Sequence, residues 1–169
     1  MSVAQIVAVA IAAVACVYDV RTSRIPNFLT FGAALLAIAF HTFSGGGIGA
    51  TPSLLGWLIG IATFFPIFAL GAMGAGDVKL MGALGAWLGW QVVLLVALYG
   101  ALAGGVFAIA VALRRRYLLQ ALRNVRALLA FWWFNGVRPL PELSLDATDG
   151  VRLPYALPIA AGLLVTLWV

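Results

Sequence analysis

The chain has 169 residues, of which 64% are hydrophobic and only 9% are charged, and its mean hydropathy is +1.12. A soluble domain of this length cannot hide so much apolar surface from water, so the composition excludes a soluble globular protein and indicates a membrane protein. Ten basic and five acidic residues give a net charge of +5. The basic residues fall between apolar segments, where membrane topology explains them better than binding to nucleic acid.

Six apolar segments predict six membrane-spanning helices in a single domain that covers residues 1–169. About 20 residues are needed to cross the apolar core of a bilayer, so little of the chain is left for a soluble domain. We interpret the first segment as a retained span and not as a cleaved signal peptide, because no Lys or Arg precedes it. The predicted spans are Val3–Tyr18, Asn27–Phe43, Ser53–Leu70 with a kink at Pro66, a short helix Val78–Leu88, Val92–Leu113 and Pro154–Val169.

Polar and turn-forming residues predict the connections between these spans. Trp87, Trp90 and His41 are interpreted as residues at the membrane–water interface. Lys79, the only lysine, lies at the opposite end of its helix beside Asp77, and its side chain is expected to extend toward the membrane interface there. The predicted connections are a polar loop Asp19–Pro26, a glycine-rich turn Ser44–Pro52, the loop that precedes Val78, a turn at Gly89-Trp90-Gln91 and a polar loop Asn135–Leu153.

One further segment, from Tyr117 to Phe134, is amphipathic. Arginine, glutamine and asparagine side chains share one helical face, and leucine and valine side chains share the other. This pattern is typical of a helix that lies in the plane of the membrane surface. We therefore predict an interfacial helix whose partner is the lipid bilayer, because its basic side chains attract anionic lipid.

The positions of the basic residues predict the orientation of the chain. If the loop after the first span is cytoplasmic and the spans alternate, every Lys and Arg lies on the cytoplasmic side. This arrangement follows the positive-inside rule and places the N-terminus outside. Pairs of small residues, Gly56 with Gly60 and Gly100 with Gly104, predict close contacts between helix backbones.

Two carboxylates stand at the ends of apolar segments. Asp77 closes the tetrad Gly74-Ala75-Gly76-Asp77, and Asp19 follows the first span. An ionisable side chain at the edge of the membrane costs several kcal/mol, which favours a functional role. Both residues are predicted at the cytoplasmic ends of their spans, where two nearby carboxylates would share a proton and could activate water as in aspartic proteases.

The two glycines of the tetrad fit that chemistry. Because they lack Cβ atoms, Gly74 and Gly76 are predicted to adopt positive φ angles and to let the backbone approach an extended substrate closely. A structural alternative stays open for each carboxylate. Asp77 could simply be the N-cap of the following helix, and Asp19 could be a polar residue that ends a span.

Three stretches of the chain carry the pattern of a known family. They are Asp19 with Arg24-Ile25-Pro26-Asn27-Phe28-Leu29-Thr30, then Gly74-Ala75-Gly76-Asp77-Val78-Lys79-Leu80, and finally Leu153-Pro154-Tyr155-Ala156-Leu157-Pro158. The chain resembles the type IV prepilin peptidases, which are membrane aspartic proteases with a Gly-x-Gly-Asp motif. It is most similar to their short form, which serves Flp-type (tight adherence) pili.

This resemblance implies an aspartic endopeptidase at the cytoplasmic face of a bacterial inner membrane. The substrates would be prepilin-like proteins, cleaved after a glycine to remove a short basic leader, and the catalytic residues would be Asp19 and Asp77. Longer members of the family carry a zinc-binding segment with paired cysteines and also methylate the new N-terminus. Because this sequence has a single cysteine, neither a metal nor another cofactor is expected, and methyl transfer is not expected either.

Two other functions remain possible at the level of sequence. A proton-coupled transporter could use Asp19 and Asp77 as a relay, although no clear internal repeat supports it. A non-catalytic pilus assembly factor could bind pilins without cleaving them. Transport by the purified protein in liposomes would favour the transporter, and pilus assembly from uncleaved precursor by both Asp→Asn variants would favour the assembly factor.

Overall fold

The chain folds as a bundle of α-helices. The computed structural model describes residues 1–44, 49–136, 138 and 154–169, and these ranges contain seven helices and no strand. The predicted all-α fold is confirmed. The glycine-rich turn and the polar loop with Glu142, Asp146 and Asp149 lie largely outside the described residues. The helices are α1 (Val3–Thr22), α2 (Asn27–Phe43), α3 (Ala50–Ala69), α4 (Ala75–Leu88), α5 (Trp90–Arg114), α6 (Leu118–Asn135) and α7 (Ala156–Trp168).

The outer surface of the bundle is apolar. Helices α1, α3 and α5 are long and apolar enough to cross a membrane by length and composition, and α2 and α7 are shorter apolar helices. Large side chains such as Leu35, Leu98 and Val106 expose 69%, 54% and 69% of their surface. Because a soluble protein buries such side chains, this surface is that of a polytopic membrane protein.

Helix α4 occupies the centre of the bundle. It packs against α1, α2, α3 and α5, and apart from Lys79 every residue from Asp77 to Leu88 is buried. With 14 residues it is about 21 Å long, which is less than the roughly 30 Å apolar thickness of a bilayer. The surrounding helices therefore cover a helix that is too short to span a membrane by itself.

Glycines bring α3 and α4 into backbone contact. A Cβ atom at Gly56 would overlap the carbonyl oxygen of Gly85, and one at Gly60 would overlap the carbonyl oxygen of Met81. Helices α5 and α7 meet in the same way, because a Cβ atom at Gly162 would overlap the backbone of Gly100. The predicted role of the small residues in close helix packing is confirmed for these contacts.

The far end of α4 corrects two predictions about the membrane interface. His41 and Trp87 are 4% and 5% exposed, so neither lies at the surface of the bundle. His41 Nε2 donates a hydrogen bond to the carbonyl of Trp87 at 3.1 Å, and Ser53 Oγ donates one to the carbonyl of Ala86 at 2.8 Å. These carbonyls belong to the last turn of α4, so no N–H group of the helix donates to them. His41 and Ser53 therefore satisfy the buried end of α4.

The contact between α3 and α4 yields a stability prediction. We expect Gly85→Ala to lower the free energy of unfolding by about 1–3 kcal/mol, because the added methyl group overlaps the backbone of Gly56 and the helices must move apart. Thermal unfolding of the purified protein in detergent measures the effect. Gly105→Ala is the matched control, since a Cβ there meets nothing within 4 Å and a helical Gly→Ala change alone is stabilising by roughly 0.5–1 kcal/mol. Equal unfolding temperatures for the two variants would contradict the prediction.

Candidate active site

Asp77 lies in the first turn of α4 and is 8% exposed. The N-cap of this helix is Gly74, with φ −75° and ψ 146°, so the helix begins three residues earlier than predicted and Asp77 is not its N-cap. The Asp77 carboxyl lies against the backbone of Gly74, because its Oδ2 atom is 3.2 Å from where a Cβ atom of Gly74 would stand. Its Oδ1 atom is buried and has no hydrogen-bond partner within the described part of the chain.

The tetrad glycines do not have the predicted conformation. Gly74 is extended and Gly76 is helical, and neither has a positive φ angle. Their small size serves packing instead. A Cβ atom at Gly76 would lie 3.1 Å from the Cβ atom of Ile25, and one at Gly74 would lie 3.2 Å from Asp77 Oδ2. Gly76 thus lets the first turn of α4 approach the connection between α1 and α2, and Gly74 leaves room for the Asp77 carboxyl.

Asp19 lies inside α1 and not in the predicted loop. The helix continues to Thr22 and ends where Ser23 adopts a left-handed conformation with φ 50°. Asp19 is half-buried, and its Oδ2 atom accepts a hydrogen bond of 3.1 Å from the backbone N–H of Ala156, the first residue of α7. The start of α7 therefore fixes the orientation of this carboxyl group.

The two carboxylates line one cavity. Asp19 and Asp77 are 58 residues apart (77 minus 19), yet both face a cavity of about 480 Å³ at the end of the bundle where α1 ends and α4 begins. They are close enough for the charge of Asp19 to act on Asp77. The remaining walls come from the connection between α1 and α2 and from the first turn of α4: Ser23, Arg24, Ile25, Pro26, Asn27, Gly74, Ala75, Gly76 and Lys79.

Lys79 also belongs to this cavity, although the sequence suggested an extension toward the interface. Its Nζ atom donates a hydrogen bond of 2.9 Å to Asn27 Oδ1 and lies 5.3 Å from the centre of the Phe31 ring. These contacts hold the ammonium group against α2. The cavity consequently combines two acidic side chains with the basic side chains of Arg24 and Lys79.

Tyr155 is a site residue that the residue-by-residue reasoning missed. It is partly buried, forms the N-cap of α7 and lies within range of the charge of Asp77. The first turn of α7 therefore contacts Asp19 directly, through the N–H of Ala156, and its N-cap Tyr155 lies on the same side of the bundle. The only sequence signal for this was the stretch from Leu153 to Pro158 that carried part of the family pattern.

Residues 6–109 match the model of the type IV leader peptidase family. The chain belongs to this family. Both Asp19 and Asp77 fall within the matched residues, as do the glycines of the tetrad. Among the described residues, no group of three or more His, Cys, Asp or Glu side chains comes together as a metal site would require.

Curated relatives of this leader peptidase family agree with the match. The chain is 34% identical to a prepilin leader peptidase/N-methyltransferase of Pectobacterium carotovorum subsp. carotovorum over 95 residues, 52% of this chain and 34% of that protein. It is 30% identical to the protein of the same description from Aeromonas salmonicida over 106 residues, 59% of this chain and 36% of that protein. The corresponding protein of Dickeya chrysanthemi is 39% identical over 93 residues, which are 51% of this chain and 32% of that protein. The match thus spans about a third of these relatives. No solved structure matches the chain.

The different surroundings of the two carboxylates predict unequal effects on stability. We expect Asp19→Ala to lower the free energy of unfolding by about 1–3 kcal/mol, because the N–H of fully buried Ala156 loses its acceptor. Asp77→Ala should be milder, since it removes an unpartnered buried oxygen and Gly74 is exposed to water. Chemical or thermal unfolding of both variants in the same detergent tests this order. A larger loss for Asp77→Ala would contradict it.

Proposed function

We propose that this protein is an aspartic endopeptidase that removes the leader from prepilin-like proteins. The observation that carries the proposal is the shared cavity of Asp19 and Asp77 in a chain of the type IV leader peptidase family. The relatives are described as prepilin leader peptidases. The proposal covers peptide cleavage alone and does not extend to the methyl transfer in their description.

The geometry supports a reaction with water between two carboxyl groups. Two carboxylates in a partly buried site hold one proton between them more readily than none. The ionised group takes a proton from a water molecule, and the protonated group donates a hydrogen bond to the carbonyl oxygen of the scissile peptide. The peptide bond is then attacked by the resulting hydroxide, and the proton returns to the leaving amine.

The tetrad backbone is the proposed platform for the substrate. Gly74 and Ala75 are exposed at the cavity, and the N–H groups of Ala75 and Gly76, at the first two positions of α4, have no acceptors within the helix. These N–H groups are available to the carbonyl oxygens of an extended peptide. Gly74 and Gly76 would then act by keeping the platform free of side chains, so that the peptide backbone reaches Asp77.

We place the protein in the bacterial inner membrane with its N-terminus outside and the cavity at the cytoplasmic face. The hydrogen bond between Asp19 and Ala156 puts the end of α1 and the start of α7 on the same side of the bundle. Arg21, Arg24 and Lys79 belong to that side as well, which fits the positive-inside rule. Helix α6 follows α5 there, after Arg114-Arg115-Arg116.

Helix α6 has the exposure expected of an interfacial helix. Leu122, Val125 and Leu129 expose 58%, 53% and 58% of their surface, and Trp133 exposes 86%. Among the described helices, α6 packs mainly against α5. An apolar face of this kind, with arginines on the same helix, fits the surface of a membrane that contains anionic lipid.

A spin-label experiment tests the lipid contact. We expect a nitroxide at Leu122→Cys to be more accessible to oxygen dissolved in lipid than to a water-soluble nickel complex, and the reverse at Asn124→Cys, which lies on nearly the opposite face. Both variants also carry Cys16→Ser and are reconstituted in phosphatidylcholine vesicles with phosphatidylglycerol. Water accessibility at both positions, or shielding of Leu122→Cys from both reagents, would contradict a lipid-bound α6.

Cleavage of a co-expressed prepilin tests the function itself. Asp19→Asn and Asp77→Asn should each lower cleavage by about a hundredfold or more, because each removes a group that transfers a proton. Mass measurement of the prepilin N-terminus gives the readout, and membrane insertion of the variants is checked in parallel. Asp146→Asn, outside the family match, is the control that should cleave normally.

The same experiment separates the alternative functions. Wild-type cleavage by either variant would overturn the peptidase proposal. Pilus assembly from uncleaved precursor by both variants would instead favour an assembly factor, and substrate transport by the purified protein in liposomes would favour a transporter. Family membership does not favour either alternative.

A further inference from the structure

The peptide group of Ala156 is held by two side chains of α1. Its N–H donates to Asp19 Oδ2 at 3.1 Å, and its carbonyl oxygen accepts a hydrogen bond of 3.2 Å from the thiol of Cys16. Cys16 and Asp19 are three residues apart in one helix and so lie on the same face. Ala156 itself is fully buried. We call this arrangement of Cys16, Asp19 and Ala156 the α1–α7 clamp.

The clamp gives Asp19 a fixed position that α1 alone does not provide. Asp19 lies in the last turn of α1, where its neighbours Val20 and Arg21 are exposed. An aspartate in such a place ordinarily samples several rotamers. Ala156, as the first residue of α7, has no acceptor for its N–H inside its own helix. The bond between them therefore satisfies a buried donor and selects one orientation of the carboxyl group.

Two further contacts make the first turn of α7 a rigid support. Gly162 of α7 packs against Gly100 of α5. The Tyr155 ring lies beside Gly104, which also belongs to α5. A shift of this turn would disturb Asp19, whose carboxyl accepts the N–H of Ala156. The thiol of Cys16 holds the Ala156 peptide against such a shift through its carbonyl oxygen, by a hydrogen bond separate from that of Asp19.

We infer that Cys16 is a positioning residue for the proposed reaction, acting on Asp19 through the peptide group of Ala156. The inference rests on the proposed peptidase function. The mechanism assigns no chemistry to the thiol, and the hydrogen bond to Ala156 gives it a role without covalent or redox chemistry.

Kinetics of prepilin cleavage by the full-length protein in detergent test the role. Cys16→Ala should lower kcat about fivefold with KM within about twofold, because one hydrogen bond that orients Asp19 is lost. Cys16→Ser keeps a donor and should recover most of that loss. Val17→Ala, at the adjacent half-exposed position, is the matched control. Wild-type kcat in Cys16→Ala, or no recovery in Cys16→Ser, would overturn the inference.

Infrared spectroscopy tests the clamp without any substrate. Because the chain contains one cysteine, its S–H stretching band belongs to Cys16 alone. We expect a band shifted to the lower frequency of a hydrogen-bonded thiol. Asp19→Ala should move it toward the free-thiol frequency, since Ala156 is then released on one side, and Val17→Ala should leave it in place. The clamp would be refuted by a free-thiol band in the wild type, or by an S–H frequency that does not change in Asp19→Ala.

Cleavage kinetics and infrared spectroscopy together distinguish failure of the positioning role from failure of the proposed peptidase function. If Asp19→Asn cleaves prepilin like the wild type, the peptidase proposal fails, while the infrared band still reports whether the clamp exists. If Asp19→Asn is inactive and Cys16→Ala retains wild-type kcat, the positioning role fails and the peptidase proposal stands.

Discussion

The backbone contact between α3 and α4 is the constraint on which the rest of the structure depends. Gly56 and Gly85 meet without side chains between them, which lets the bundle close around a helix that is buried from Asp77 onward. An apolar side chain gains little free energy by moving from lipid into a helix contact. Close packing of small residues therefore provides much of the free energy of helix association. The position of Asp77 is therefore set by contacts that lie two to three turns away from it.

The two carboxylates are held by different means. Asp77 is held by its own helix, in whose first turn it lies, and by the burial of α4. Asp19 is fixed from outside its helix, by a peptide group of α7 that lies 137 residues further along the chain. One carboxyl thus has a local scaffold and the other depends on assembly of the whole bundle. The pair of oriented carboxyl groups therefore needs α1 and α4 to line the cavity and α7 to hold Asp19.

The sequence predicted the helices well because their ends carry strong local signals. The bounds of α2, Asn27 and Phe43, were predicted without error, since Pro26 precedes the helix and a glycine-rich stretch follows it. The error at Asp19 arose because a polar run was taken as a loop. In fact the helix continues until Ser23 adopts a left-handed conformation. At the tetrad, the freedom of glycine was taken as a need for positive φ, whereas Gly76 is required by the proximity of Ile25.

The parts of the site that the sequence could not predict depend on tertiary contacts. The residues around Ala156 do not predict its hydrogen bond to Asp19, because a backbone N–H is present at almost every position. His41 was predicted at the interface on its residue type, yet it is buried because a carbonyl of α4 needs a donor there. Asp19 and Asp77 were recognised because carboxyl side chains are rare in so apolar a chain. Ala156 and Tyr155 were missed because a main-chain N–H and a tyrosine are common.

The short length of α4 has a consequence for where the chemistry takes place. A helix of about 21 Å cannot reach both faces of an apolar layer of roughly 30 Å. If Gly89 stands near one face, Asp77 lies several ångströms below the other. A scissile bond would then have to descend below the headgroups to be cut, and the hydrolytic water would have to descend with it. Depth by itself would in this way discriminate among peptides, since only a segment that tolerates leaving water could reach the carboxylates.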